Sequence, residues 1–103
     1  MLVNKTYKQN DIITVALLTG QELIAKFVSE DDGSIVIKKP LTLVFGPEGA
    51  AFQPYTITGD SDNEVTIRMH TVISVLKTKG EIATAYSGAT SGLVVPEKQG
   101  LIL

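Results

Sequence analysis

The stretch from Ile12 to Ile37 constrains this chain most. It reads IITVALL-TG-QELIAKFVSE-DDG-SIVI, three short apolar runs cut by two turn signals, Thr19-Gly20 and Asp31-Asp32-Gly33. Runs of this length with alternating side chains predict three consecutive antiparallel strands. In the first run, Ile13, Val15 and Leu17 fall on one face and Ile12, Thr14, Ala16 and Leu18 on the other. Both faces are largely apolar, so cover is expected on both sides. Gly20 supplies the positive φ that the first turn requires. In the second strand, Glu22–Glu30, the side chains of Leu23, Ala25 and Phe27 share a face and Lys26 lies opposite. Ala25 is small between large neighbours, which permits a sharp bend or a close approach by another backbone. Glu30-Asp31-Asp32-Gly33 reads as a solvated hairpin loop.

The third strand runs from Ser34 to about Ile37 and meets Lys38-Lys39-Pro40, where a proline without a ladder donor ends it, bends it or marks an edge. Leu41–Phe45 resumes an extended apolar pattern, and Gly46-Pro47-Glu48-Gly49 is a loop. Phe52–Ile57 is a further candidate strand, with Pro54 marking it as an edge. After the acidic Gly59–Glu64 loop come Val65 and Ile67 in alternation, a tight turn at Met69-His70-Thr71, and the last clear strand, Val72–Lys77. Ile82, Ala85, Tyr86 and Ala89 follow helical spacing, in a helix over Glu81–Ser87 kept short by Gly88 and Gly92. The N-terminal Leu2, Val3 and Tyr7 suit either one side of a helical turn or a loose strand. Leu93–Leu103 is tail-like with an apolar end. Five or six short strands with minor helices predict an all-β fold, a small, strongly bent barrel or sandwich.

At 103 residues the chain is one domain, with a core over about 11–77 and a C-terminal extension over 78–103. A domain this small gains from neighbouring subunits. Cysteine is absent, which removes disulfides and thiolate metal sites and is compatible with the reducing cytoplasm. Lys5 and Lys8 before Ile12–Leu18 superficially suggest a signal peptide, but Asp11 interrupts them and no small-residue cleavage site follows. No apolar run approaches the roughly 20 residues of a membrane helix. We read the protein as cytoplasmic, with no membrane partner. The net charge of −2 gives no global attraction to phosphate, so a nucleic-acid partner requires a local basic patch.

Catalytic chemistry finds little support. One histidine, His70, and no nucleophile-elbow pattern around any serine argue against an enzyme. Asp60, Asp62 and Glu64 alternate like the start of a calcium loop, but Val65 stands at the position of the loop glycine and Thr71 at that of the final glutamate. Ser87–Gly92 lacks the Gly-Lys-Ser/Thr ending of a phosphate loop. No cofactor is expected.

Two segments resemble the two halves of the Sm-like (LSm) signature. Leu17–Ile37 is similar to the first motif: Gly20 stands at the turn glycine, Glu22-Leu23 follows it, Ala25 replaces the bend glycine, Asp31 stands at the loop aspartate, and Ser34 falls near the motif's asparagine in a loop about one residue shorter. Ile67–Val75, IRMHTVISV, is similar to the second motif. Arg68 matches its arginine, Met69 replaces its glycine, and His70 sits where the bacterial Hfq type carries a Lys-His pair. The long connection from Lys38 to Glu64, Gln53-Pro54-Tyr55 and the Tyr86–Pro96 ending look like the divergent Sm-like proteins encoded by bacterial viruses.

The resemblance implies a short N-terminal helix and a bent five-stranded antiparallel barrel whose open edges close by ring assembly, in homo-oligomers of about five to seven subunits. Subunits of such rings join the fourth strand of one to the fifth of the next. This makes Val72, Ile73, Val75 and Leu76 the candidate interface and leaves the fourth strand as Phe52–Ile57, Glu64–Arg68, or a bent strand using parts of both. It also implies binding of single-stranded, uridine- or adenosine-rich RNA at the pore. Carried over by position, Arg68 stacks on a base or contacts phosphate, Asp31 and Ser34 contact a base, and His70 supplies an edge or phosphate contact. The acidity of Asp31 and Asp32, and the missing aromatic stacking residue, keep a second class open: a ring-shaped scaffold or protein-interaction module without nucleic-acid binding.

Overall fold

The structure is a computed structural model that describes residues 7–91. The reading of Leu2 and Val3, and that of the Leu93–Leu103 tail, lie outside the described residues. The described chain runs β1 (Ile12–Leu17), β2 (Glu22–Glu30), β3 (Ser34–Gly46), β4 (Gly49–Pro54), β5 (Glu64–Arg68), a 3₁₀ turn (Met69–Thr71), β6 (Val72–Lys77) and α1 (Gly80–Thr90). It is mostly antiparallel sheet with one short helix. The strand order is β4-β3-β2-β1-β6, and β5 pairs with β3.

The alternation read in the sequence becomes the two faces of this sheet. Ile13 and Val15 of β1, Leu23, Ala25 and Phe27 of β2, and Ile35 and Ile37 of β3 form one buried cluster. Val65 and Ile67 from β5, and Val72 and Val75 from β6, pack against that same cluster. Two edges of one sheet can meet a common core only if the sheet curls strongly. Among the described residues β5 and β6 are not hydrogen-bonded to each other, so the sheet stays open between them. Tyr7 closes one end of the core, its ring edge-on to Phe27 at 4.8 Å and its hydroxyl donating to Glu30 Oε1 at 2.7 Å.

Three expectations are sharpened or corrected. Of the readings open at Lys38-Lys39-Pro40, the bend holds: β3 does not end near Ile37 but bends there and continues to Gly46. Ile24 faces Leu41 and Lys26 faces Lys38, so β3 carries an extra residue opposite Ala25. This is a β-bulge: Lys39 takes a left-handed φ of 50°, and Pro40, with no donor to offer a ladder, turns its ring into the interior. The small Ala25 lies opposite the bulge, where the sequence calls for a bend.

The fourth and fifth segments are also two distinct strands rather than parts of one bent strand, which gives six strands, within the five or six read from the sequence and one more than the resemblance implies. β4 ends at Pro54 and pairs with Leu41–Gly46, whereas β5 pairs with Ser34–Lys38. Both lie on the same side of β3, end to end. The third correction is the helix, which runs past Gly88 to Thr90. Tyr86, fully buried, docks α1 on the sheet: its hydroxyl donates to the Lys39 carbonyl at 2.6 Å, with the Lys38 carbonyl at 3.2 Å. Those carbonyls sit at the bulge, where the ladder is interrupted. Burial pushes the Tyr86 hydroxyl's pKa well up. Its ring meets Phe52 of β4 edge-on at 6.0 Å.

Candidate nucleic-acid interface

The β2–β3 turn is built by Asp31. Its Oδ1 accepts the backbone N–H of Gly33 at 2.8 Å and of Ser34 at 2.9 Å. These hydrogen bonds, from Gly33 first and then Ser34, hold the carboxyl below its ordinary value. The Ser34 hydroxyl lies 3.5 Å from the same oxygen. One oxygen of Asp31 therefore organises the turn, and the side chain as a whole is exposed.

The second turn comes to meet the first. Ser34 and Arg68 are directly opposed at the end of the β3–β5 ladder. The Met69 N–H donates to the Gly33 carbonyl at 2.9 Å, which fixes the start of the 3₁₀ turn against the β2–β3 turn. The Thr71 hydroxyl donates to the Arg68 carbonyl at 2.7 Å, closing that turn on itself. Asp31, Ser34, Arg68 and His70 thus belong to two adjoining turns at one end of the sheet. Arg68 and His70 are exposed and Ser34 is half-buried. The patch is mixed in charge, because Asp31 and Asp32 stand exposed on the same turn as Ser34. Chemically it offers hydrogen-bond donors and acceptors and the fixed cation of Arg68.

The candidate interface residues divide by face. Val72 and Val75 turn toward the core, while Ile73 and Leu76 are 62% and 55% exposed. Among the described residues β6 pairs only with β1 and β5 only with β3, so within them the outer edge of each strand has no ladder partner. Among the described residues no three His, Cys, Asp or Glu side chains gather as a metal site, and no helix is long and apolar enough to cross a membrane. Asp60 instead accepts the Asp62 N–H at 3.2 Å, a local turn contact.

Reasoning from sequence missed one surface. Leu76, Thr14, Ile24, Leu41 and Pro54 form one rung across β6, β1, β2, β3 and β4, on the face away from the main core. Past this rung β3 leaves β2 and continues with β4 alone as a two-stranded hairpin. Between hairpin, sheet and the start of α1 lies a cleft of about 640 Å³. The signal was present: residues 40–55 carry one charged side chain, Glu48. No protein-family model matches this chain, and no curated protein matches it.

Proposed function

We propose that this chain is an Sm-like, ring-forming subunit of the cytoplasm whose assembly binds single-stranded RNA. The observation that carries the reading is the junction of the two motif turns, Ser34 opposite Arg68 with Met69 N–H bonded to Gly33 O. Segments some thirty residues apart, picked out because each resembles half of one signature, meet in space at the residues that would face RNA.

The assembly follows from the open edges. β5 and β6 bring apolar residues to a common core, yet among the described residues their outer ladders have no partner. Joining β6 of one copy to β5 of the next satisfies both rows and closes an Sm-like barrel wall between subunits. The two edges differ, so the contact is head-to-tail and rotation generates a ring. Ile73 and Leu76 would then lose their exposure. A ring repeats the fixed charge of Arg68 around its axis, concentrating a cation in a chain of net charge −2, with Asp31 and Asp32 repeated beside it.

A scaffold ring that holds proteins rather than RNA is the second reading. It is favoured by the exposed Asp31 and Asp32, which the same symmetry repeats beside Arg68. Solution mass, measured with and without labelled oligo(U) and oligo(A), separates the two. An oligomer that binds either RNA, with affinity falling steeply in salt, supports the first reading. An oligomer that binds neither at low salt and micromolar protein leaves the scaffold. A monomer sinks both.

A further inference from the structure

The turn between β2 and β3 passes through an aspartate followed by a glycine, Asp32-Gly33, both exposed. In such a pair no Cβ on the glycine crowds the approach of its nitrogen to the preceding side-chain carboxyl. Attack forms a bond from the Gly33 nitrogen to Cγ of Asp32, and the amide proton leaves with the carboxyl's hydroxyl as water. The product is a cyclic imide. Water then opens it at either carbonyl. Opening at the main-chain carbonyl leaves isoaspartate, with the backbone running on through the side chain. Water is the sole co-reactant, and nothing is oxidised or reduced.

We propose that Asp32 is an isoaspartate-forming site and that the turn built by Asp31 holds it shut. Attack requires the Gly33 amide to give up its proton. That N–H is committed to Asp31 Oδ1 at 2.8 Å, and the carboxylate opposes negative charge building on the nitrogen. The same oxygen accepts the Ser34 N–H at 2.9 Å, and the Asp31 N–H donates to the Ser34 carbonyl at 2.9 Å. The other side of Gly33 is tied as well, its carbonyl accepting the Met69 N–H at 2.9 Å. Gly33 therefore reaches Asp32 Cγ only by breaking contacts that join the two turns. The fold does not itself demand the glycine. Gly33 lies outside the left-handed region, and a Cβ there would meet Asp31 Oδ1 at 3.8 Å, an ordinary contact. Isoaspartate places an extra carbon in the main chain, which displaces Gly33 from both Asp31 and Met69. Once formed, it loosens the junction at which Ser34 faces Arg68. The reaction belongs to the turn alone and is the same in a monomer or a ring.

The full chain is aged in buffer and in urea, and isoaspartate at Asp32 is read in digested peptides by electron-transfer fragmentation. The expected result is little in native wild type and several times more in urea. Asp31→Ala aged in buffer approaches the urea rate. Asp31→Glu, longer by one methylene, falls between, which preserves the comparison where Asp31→Ala fails to fold. Gly33→Ala slows the reaction in urea, because a Cβ then crowds the attack. Wild type that ages as fast in buffer as in urea overturns the proposal. So do Asp31→Ala and Asp31→Glu that both stay as slow as native wild type. An unfolded chain with no isoaspartate at Asp32 overturns the site itself.

Discussion

The Tyr86 hydroxyl lies 2.6 Å from the carbonyl oxygen of Lys39, a bond that ties the only helix among the described residues to the bulge in β3. Lys39 has no partner in the β2 ladder, and Tyr86 supplies a donor to its carbonyl. Tyr86→Phe keeps the ring against Phe52 and leaves the part-buried acceptor short of its partner. A loss of about 1–3 kcal/mol follows, read as a lower urea midpoint at unchanged slope. An unchanged midpoint would show that water replaces the hydroxyl at no cost.

Lys39 holds the strained conformation at the same bulge, with φ at 50°. Glycine adopts this region without a Cβ clash but adds entropy to the unfolded chain. Lys39→Gly is therefore expected to change stability by less than about 1 kcal/mol. Lys39→Val places a β-branched residue where it fits poorly and costs about 1–3 kcal/mol. Paired urea melts test the contrast, and equal effects of the two would mean that the bulge is not the constraint.

The regular elements were legible because their signals are local. β2 matches its sequence reading at Glu22–Glu30, and β6 at Val72–Lys77, since alternation and flanking turn residues fix a strand without distant help. A bend at Lys38-Lys39-Pro40 was one of the open readings, but a bulge inside one continuous strand was not legible, because the Lys38 and Lys39 carbonyls are held by Tyr86, 47 residues beyond Lys39. β4 was misplaced for a related reason: Gly46-Pro47-Glu48-Gly49 reads as a loop, and only the pairing of Gly46 with Gly49 makes it a hairpin. At the site, motif resemblance chose Asp31, Ser34, Arg68 and His70, but their adjacency depends on the β3–β5 register. The structural duty of Asp31 toward Gly33 and Ser34 appears only in the folded turn.

Tyr7 gives the fold an alkaline limit. Burial, then the hydrogen bond from its hydroxyl to Glu30 and the charge there, push its pKa from 10.0 to about 12. A group whose folded value is raised contributes stability that is complete below the unfolded value and lost as pH rises through the folded one. The loss attributable to Tyr7 therefore falls between pH 10 and about 12. Tyr7→Phe should lower stability at neutral pH and flatten the decline across that window. Urea midpoints at intervals from pH 8 to 12 decide it, and parallel curves for the two proteins would refute the assignment.

Asp31 and Arg68 are predicted to fail in different ways. Asp31 anchors two backbone N–H groups, and its carboxyl is held below its ordinary value. Its contribution is present above the unfolded pKa and is lost as pH falls through the folded one. Asp31→Asn retains an acceptor and should keep the turn. Asp31→Ala should loosen it and speed amide exchange at Gly33 and Ser34. Arg68 is exposed at the end of β5, and its removal should leave stability within about 0.5 kcal/mol. If the chain assembles into the proposed ring and binds RNA through this patch, Arg68→Ala weakens oligo(U) or oligo(A) binding at least tenfold and lowers the salt slope by about one per lost phosphate contact. Asp31→Asn, which removes a negative charge from the same patch, should hold or raise affinity. Fluorescence anisotropy across a salt series measures both. Should Arg68→Ala bind as the wild type does, the two turns meet for a purpose other than RNA.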